Sequence, residues 1–266
     1  MIKIAMFGIC GRMGSAITSE LIKEDDISLV AGFDSINKGK DAGQFLGSGK
    51  INVPITDSYD DVKDAKPDII VDFTIAEVAE KTIEWAINNR IDIIVGTTGL
   101  KPEKLRQFEQ MAASPGSRVL VIPNFAIGAV IMMKVSKMIA GYFDNCEIIE
   151  MHHDGKKDAP SGTSLATARG ISDSIAYNKN RLKDSEIENI ESSRGGFAGG
   201  LHIHSVRLPG LVAHQNVIFG ARGQTLSIRH DSMDRSSFYP GVIMAVRNID
   251  KIEGYAFGLE RLIEFD

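Results

Sequence analysis

Apolar residues fill most of residues 3–7 and stop at Gly8, and over residues 13–22 they recur at helical spacing. A strand, a tight turn and a helix are therefore predicted in direct succession. A second strand follows at residues 28–33, and the grammar then repeats: strand over 68–73, helix over 77–89, strand over 91–95, helix over 102–113, strand over 118–122. Alternation of this kind predicts right-handed crossovers and a parallel sheet. The runs Ile69-Ile70-Val71 and Ile93-Ile94-Val95 lack polar alternation, as strands covered on both faces do.

After Pro123-Asn124 the pattern changes. Residues 127–142 predict one longer amphipathic helix, 146–151 a strand and 161–175 a helix, and a second unit begins in this region. Residues 178–200 mix charges with the run Gly195-Gly196-Phe197-Ala198-Gly199-Gly200, which predicts a surface excursion or mobile loop. Residues 201–207, 212–219 and 224–230 read as strands separated by turn residues, and 239–248 as a closing helix.

Composition narrows the function classes. With 43% hydrophobic and 24% charged residues among 266, the chain has the balance of a globular protein. Its formal charge of -5 disfavours nucleic acid or an anionic membrane as the main partner. Cys10 and Cys146 are too few for a disulfide framework, which points to a reducing, cytoplasmic setting. The longest apolar stretch, residues 125–133, falls short of the roughly 20 residues a spanning helix needs. Residues 4–10 run straight into Gly11-Arg12 without a small-x-small cleavage site, so they read as a strand and not as an export signal.

The segment Gly8-Ile9-Cys10-Gly11-Arg12-Met13-Gly14 lies between the first strand and the first helix, where backbone amides and the positive helix end suit a pyrophosphate. Cys10 breaks the strict G-x-G-x-x-G fingerprint. Asp34 restores the reading: it ends the second strand 20 residues after Gly14, where a carboxylate accepts hydrogen bonds from an adenosine ribose. That carboxylate disfavours a 2'-phosphate, whereas Arg12 and Lys38 are near enough in sequence to offer one a cation. NADH, or tolerance of both NADH and NADPH, is the expectation. Gly96-Thr97-Thr98-Gly99 and Pro123-Asn124-Phe125 fall at carboxyl ends of predicted parallel strands, the edge where open α/β sheets bind ligands.

Residues 152–163, His-His-Asp-Gly-Lys-Lys-Asp-Ala-Pro-Ser-Gly-Thr, concentrate two imidazoles, two ammonium groups and a helix start. Ser161 is a good N-cap, and the free amides of Gly162 and Thr163 suit a carboxylate. Lys156 suits a second anionic group or a proton delivery, and a histidine is the natural acid or base near neutral pH. The expected ligand is a small dianion. A metal is not expected, because adjacent histidines on a strand face opposite ways and no partner spacing accompanies them. His202 and His204 share a strand face but lack a third ligand, so a structural role is the expectation.

The motifs together resemble the dihydrodipicolinate reductase family, from end to end of the chain. Its G-x-x-G-R-M-G loop is matched by Gly8 to Gly14, and its H-H-x-x-K-x-D-x-P-S-G-T signature by His152 to Thr163. The departures are Ser164, where the family often has alanine, and Ser35, where it often has a basic residue after the ribose-binding acid. The resemblance implies an α/β protein with a Rossmann-type parallel-sheet domain over residues 1–124, completed by 235–266. It also implies a second α/β domain with an open mixed sheet over 125–234, which binds substrate and builds a homotetramer. By the same resemblance His152 and Lys156 handle protons, and His153, Gly162 and Thr163 hold substrate carboxylates. Gly8, Ile9, Cys10, Gly11, Arg12, Met13, Asp34, Gly96, Thr97, Thr98, Ile122, Pro123, Asn124 and Phe125 would contact the cofactor. The implied reaction reduces 4-hydroxy-tetrahydrodipicolinate to tetrahydrodipicolinate with loss of water, in lysine biosynthesis by the diaminopimelate route. Two rivals remain at this level: an aspartate or homoserine type of dehydrogenase, and a non-catalytic dinucleotide-binding regulator.

Overall fold

The structure, a computed structural model, describes residues 1–113, 116–174 and 187–264. Two compact units divide the chain: Met1–Phe125 with Phe238–Asp266, and Ala126–Ser237.

The first unit is built on seven parallel strands. Strand β1 (Ile2–Phe7) leads into helix α1 (Arg12–Leu21) and β2 (Ile27–Phe33), followed by α2 (Ala42–Leu46), β3 (Ile55–Thr56) and α3 (Tyr59–Asp64). Then come β4 (Ile69–Asp72), α4 (Ala76–Asn89), β5 (Asp92–Val95), α5 (Pro102–Met111) and β6 (Val119–Val121). The sheet order is β3-β2-β1-β4-β5-β6 with a last strand, Tyr255–Phe257, beyond β6. The order reverses between β1 and β4, the switch point where such sheets open a ligand crevice. The continuous apolar runs are buried: Ile4, Ala5, Met6, Phe7, Ile70, Val71, Ile93, Ile94 and Val95 are all 0% exposed. Phe7 stacks on Phe33 with ring centroids 4.2 Å apart, and Tyr59 joins Phe33 to Trp85.

No element was predicted over residues 34–67, yet they hold α2, β3 and α3. These elements span two to six residues, too short for periodicity to register, and they stand on caps: Asp41 accepts from the Gln44 amide, and Ser58 from the Asp61 amide.

The second unit holds α6 (Ile127–Ile139), β7 (Asn145–His152), α7 (Gly162–Ser174), β8 (Gly196–Ala198), β9 (Leu201–Arg207), β10 (Ala213–Ala221) and β11 (Gln224–Ser232). Its sheet runs β11-β10-β7-β9-β8 and is mixed: β7 and β9 are parallel, and the other neighbours antiparallel. Met132 of α6 and Ala168 and Ile171 of α7 pack on one face, against Cys146, Ile148, Leu201, Ile203, Val217 and Phe219. The other face presents Ile149, Met151, Val206 and Ile218, all partly exposed. Helix α8 (Tyr239–Asn248) and β12 (Tyr255–Phe257) return to the first unit, where β12 pairs in parallel with β6.

Two predictions need correction. Residues 140–142 are a 3-10 turn, so α6 ends three residues earlier than expected. The glycine-rich run is no loose loop: β8 and β9 form a hairpin closed by Gly199 and Gly200, both at positive φ (61° and 81°), the backbone that a two-residue turn demands. The part of that expectation on residues 178–186 lies outside the described residues. Among the described residues no helix is long and apolar enough to cross a membrane.

Candidate active site

The turn after β1 is backbone packed on backbone. Gly8 sits at φ +78°, and a Cβ there would come 2.8 Å from the Phe73 carbonyl oxygen. A Cβ on Gly14 would run into the Gly8 carbonyl oxygen and lie 2.7 Å from its carbonyl carbon. Only glycine permits this approach of β1, the turn and α1. Gly11 caps α1 without any side chain, which leaves the helix's first amides open to an anion. Asp34 braces the loop: its Oδ2 accepts from the Cys10 amide at 2.9 Å and its Oδ1 from the Ile36 amide at 3.0 Å. The Cys10 thiol donates to the Ile36 carbonyl, and burial raises its pKa. Glycine at the second position of the fingerprint is thus replaced by a residue whose side chain ties the loop to the strand after it. Lys38, expected to be available to a 2'-phosphate, is instead committed to Asp57 at 2.5 Å.

Five further expected residues lie just past the carboxyl ends of β5 and β6. A Cβ on Gly96 would lie 2.6 Å from Cζ of Phe73, whose ring packs 5.5 Å from that of Phe125. Ile122 is buried and donates its amide to the Val95 carbonyl. Thr97 is buried and donates to Asp72 Oδ1 at 2.8 Å, while Thr98 is exposed. Asp72 was not anticipated. Its Oδ1 also takes the Thr74 amide and hydroxyl, at 2.9 and 2.7 Å, while its Oδ2 is buried without a partner among the described residues. Burial pushes its pKa up, against the threonine hydrogen bonds. The available signal was an acid closing an otherwise apolar strand run. The backbone cradle and the uncapped start of α1 fit a dinucleotide.

In the second unit the site is anchored at the end of β7. His152 Nδ1 lies 2.5 Å from Glu150 Oε2, and the Glu150 side chain is fully buried. Burial depresses the His152 pKa and outweighs the opposing pull of Glu150, with Lys156 and Arg207 pushing the same way as burial. For Glu150, burial opposes ionisation, but hydrogen bonds from Arg207, Ser205 and His152 prevail and the pKa is lowered. A neutral imidazole beside an ionised carboxylate results. Lys156 is close enough to His152 to affect it and is itself paired with Asp158, at 2.8 and 3.0 Å. Ser161 caps α7 by accepting the Ser164 amide at 3.2 Å. Gly162, exposed with open space beside its Cα, and Thr163 follow at the helix start. His153 is exposed and lies beside Gly155, away from the His152–Glu150 pair.

Ser164, the family departure, is buried and links the cap to the sheet: its hydroxyl lies 2.7 Å from Ser161 Oγ and donates to Gln215 Oε1 at 2.9 Å, and Gln215 donates to Thr167. His204 is held by Glu147 at 2.8 Å, and His202 packs edge-on to Phe197. Among the described residues no cluster of three or more His, Cys, Asp or Glu is arranged to hold a metal.

Comparison with known proteins agrees with this anatomy. Residues 2–125 match the family model for the N-terminus of dihydrodipicolinate reductase, and residues 128–263 that for its C-terminus. The chain is 44% identical to the 4-hydroxy-tetrahydrodipicolinate reductase of Dictyoglomus turgidum, over 99% of this chain and 98% of the relative. It is 43% identical to that of Listeria innocua, over 98% and 100%. A dipicolinate-bound dihydrodipicolinate reductase from Paenisporosarcina sp. TG-14 superposes with a TM-score of 0.88 at 37% identity, covering 99% and 100% of the two chains.

A parallel sheet braced by glycines at its first turn, together with these family matches, defines a nicotinamide-dependent oxidoreductase of the Rossmann class. The chain belongs to the dihydrodipicolinate reductase family. It reduces 4-hydroxy-tetrahydrodipicolinate to tetrahydrodipicolinate with NADH or NADPH, a step of lysine biosynthesis, and this replaces both the other-dehydrogenase and the silent-regulator readings.

Proposed function

We propose that residues 152–163 are the catalytic and substrate-binding segment of this reductase, with His152 and Lys156 handling protons and His153, Gly162 and Thr163 holding the two carboxylates. The observation that carries this reading is the placement of a neutral imidazole, an ammonium group and an uncommitted helix start within one short stretch. The net change adds one hydride and one proton to the cyclic imine and releases one water. Reduced nicotinamide, held by the first unit, supplies the hydride. The Lys156 ammonium carries the proton that the ring requires as negative charge develops on it. His152 presents Nε2 as a lone pair, and accepts and returns a proton there. The amides of Gly162 and Thr163 hold a carboxylate without themselves carrying a net charge, so they lose nothing to counter-ions when the site is empty.

For the cofactor, the Asp34 carboxylate and the engagement of Lys38 by Asp57 support good use of NADH, with NADPH tolerated. Michaelis constants strongly favouring NADPH would overturn this. The uncovered sheet face bearing Ile149, Met151, Val206 and Ile218 supports assembly with further copies, as a homotetramer. The scarcity of cysteine, two in 266 residues, supports a reducing cytoplasmic setting. The site assignment is tested by following loss of reduced-nicotinamide absorbance with synthase-generated substrate. His152→Ala and Lys156→Ala are expected to lose about 10²-fold or more in kcat while cofactor affinity survives. Near-normal turnover in both variants rejects it.

A further inference from the structure

The parallel register of β7 and β9 sets Arg207 beside His152 and Ser205 beside Glu150, and period-two alternation puts Glu150 on the same sheet face as His152. Besides Ser205, four donor atoms meet on the two Glu150 oxygens. Arg207 grips both, Nη2 to Oε1 at 2.7 Å and Nη1 to Oε2 at 2.9 Å. The Ser161 amide reaches Oε1 at 3.2 Å, and His152 Nδ1 lies 2.5 Å from Oε2. Arg207 is itself fixed from behind, because Nη2 also donates to the Asp158 carbonyl and Nη1 to the Val206 carbonyl. A carboxylate engaged by a bidentate guanidinium is ionised and accepts only, so Nδ1 of His152 carries the proton and Nε2 the lone pair.

We infer that Glu150, held ionised by Arg207, is the positioning residue of His152: it sets the ring's tautomer and orientation and leaves Nε2 as the working atom. The inference rests on the site assignment above and goes beyond it to a largely buried ion pair outside the assigned residues. The same carboxylate holds the Ser161 amide, so one buried charge sets both the imidazole and the first turn of α7. A buried ion pair of this kind contributes little net stability against an apolar replacement, which leaves orientation as its use.

The charged groups facing His152 are Glu150 on β7, Arg207 on β9, and Lys156 with Asp158 in the loop that follows. In Glu150→Gln the amide presents a donor to Nδ1, the other tautomer is forced and the imidazolium loses its counter-charge. The expected result in the full chain is a fall of about 10²–10⁴-fold in kcat, with the KM for NADH within about twofold. The limb of the pH–kcat profile that is lost in His152→Ala moves to lower pH. The double variant Glu150→Gln/His152→Ala is no slower than His152→Ala alone, because Glu150 acts through the ring. A purely structural role would lower kcat at every pH without moving the limb, and would multiply with the loss in His152→Ala; either result overturns the inference. Should Glu150→Gln fail to melt cooperatively, Arg207→Lys keeps the cation but not the two-oxygen grip and moves the limb; an unmoved limb there counts against the inference. An inactive His152→Ala beside a fully active Glu150→Gln overturns this inference alone. A fully active His152→Ala overturns the site assignment with it.

Discussion

Gly14→Ala tests the glycine turn proposed above as the cofactor's phosphate cradle. In an exposed helix interior this change stabilises by about 1 kcal/mol, because alanine loses less backbone freedom. Here the added Cβ meets the Gly8 carbonyl oxygen and stands 2.7 Å from the Gly8 carbonyl carbon and 3.3 Å from Ile9 Cα. Ordinary carbon separations are about 3.5–4.0 Å, so β1 and α1 must part by about 1 Å at the turn. All three neighbours are backbone, so no rotamer change relieves the contact. Overpacking of this kind costs about 1–3 kcal/mol and here belongs at or above the upper end, which leaves a net loss of about 2 kcal/mol after the helix gain. At about 2–4 °C per kcal/mol, Tm is expected to fall by about 4–8 °C. Parting the turn also misaligns the helix amides, so Kd for NADH is expected to rise by about tenfold, equivalent to about 1.4 kcal/mol. Thermal unfolding by near-UV circular dichroism and a fluorescence titration with NADH give both readouts. Gly170→Ala is the control: it lies within α7, where a Cβ meets nothing closer than Lys137 Cδ at 4.0 Å, so Tm should hold or rise. A Gly14→Ala chain that melts at or above the parent temperature and binds NADH normally refutes the reasoning.

Two further outcomes are expected. Ser164→Ala removes the donor to Gln215 Oε1 inside a buried network, at a cost of about 1–3 kcal/mol, while kcat stays within about threefold because Ser161 still caps α7; chemical denaturation showing no loss of stability would contradict it. Asp72→Asn keeps the acceptor for Thr74 and Thr97 while abolishing ionisation. Since burial raises the native pKa of Asp72, its contribution to stability is complete below the ordinary carboxylate range and is lost as pH rises through the raised value. The variant's Tm relative to the parent should therefore be higher at pH 8 than at pH 4, and a difference that does not vary with pH sinks the argument.

Much of this protein is written locally. Uninterrupted apolar runs at residues 69–71 and 93–95 specify strands buried on both faces, and the structure buries all of them. The Gly8 to Gly14 turn and the Ser161-Gly162-Thr163 helix start are legible because turn and cap chemistry depends on residue types a few positions apart. The elements missed were those whose existence depends on neighbours: β12 is three residues long and becomes a strand by pairing with β6, and β8 by pairing with β9.

The partners of buried charges were not legible at all. Nothing near Glu150 in the chain announces Arg207, which lies 57 residues away and arrives through the parallel β7–β9 register. Lys38 looked available to a phosphate until the fold set it against Asp57, and Asp72 drew no separate reading within the strand predicted over 68–73, although Thr74 and Thr97 close on it. Periodicity, capping and turn preference are properties of a few consecutive residues, so the sequence by itself determined the longer elements and the kind of chemistry. Which ionised group faces which across a sheet depends on register and burial together, and in a low-dielectric interior that choice sets protonation, so only the tertiary structure decided how His152 is poised.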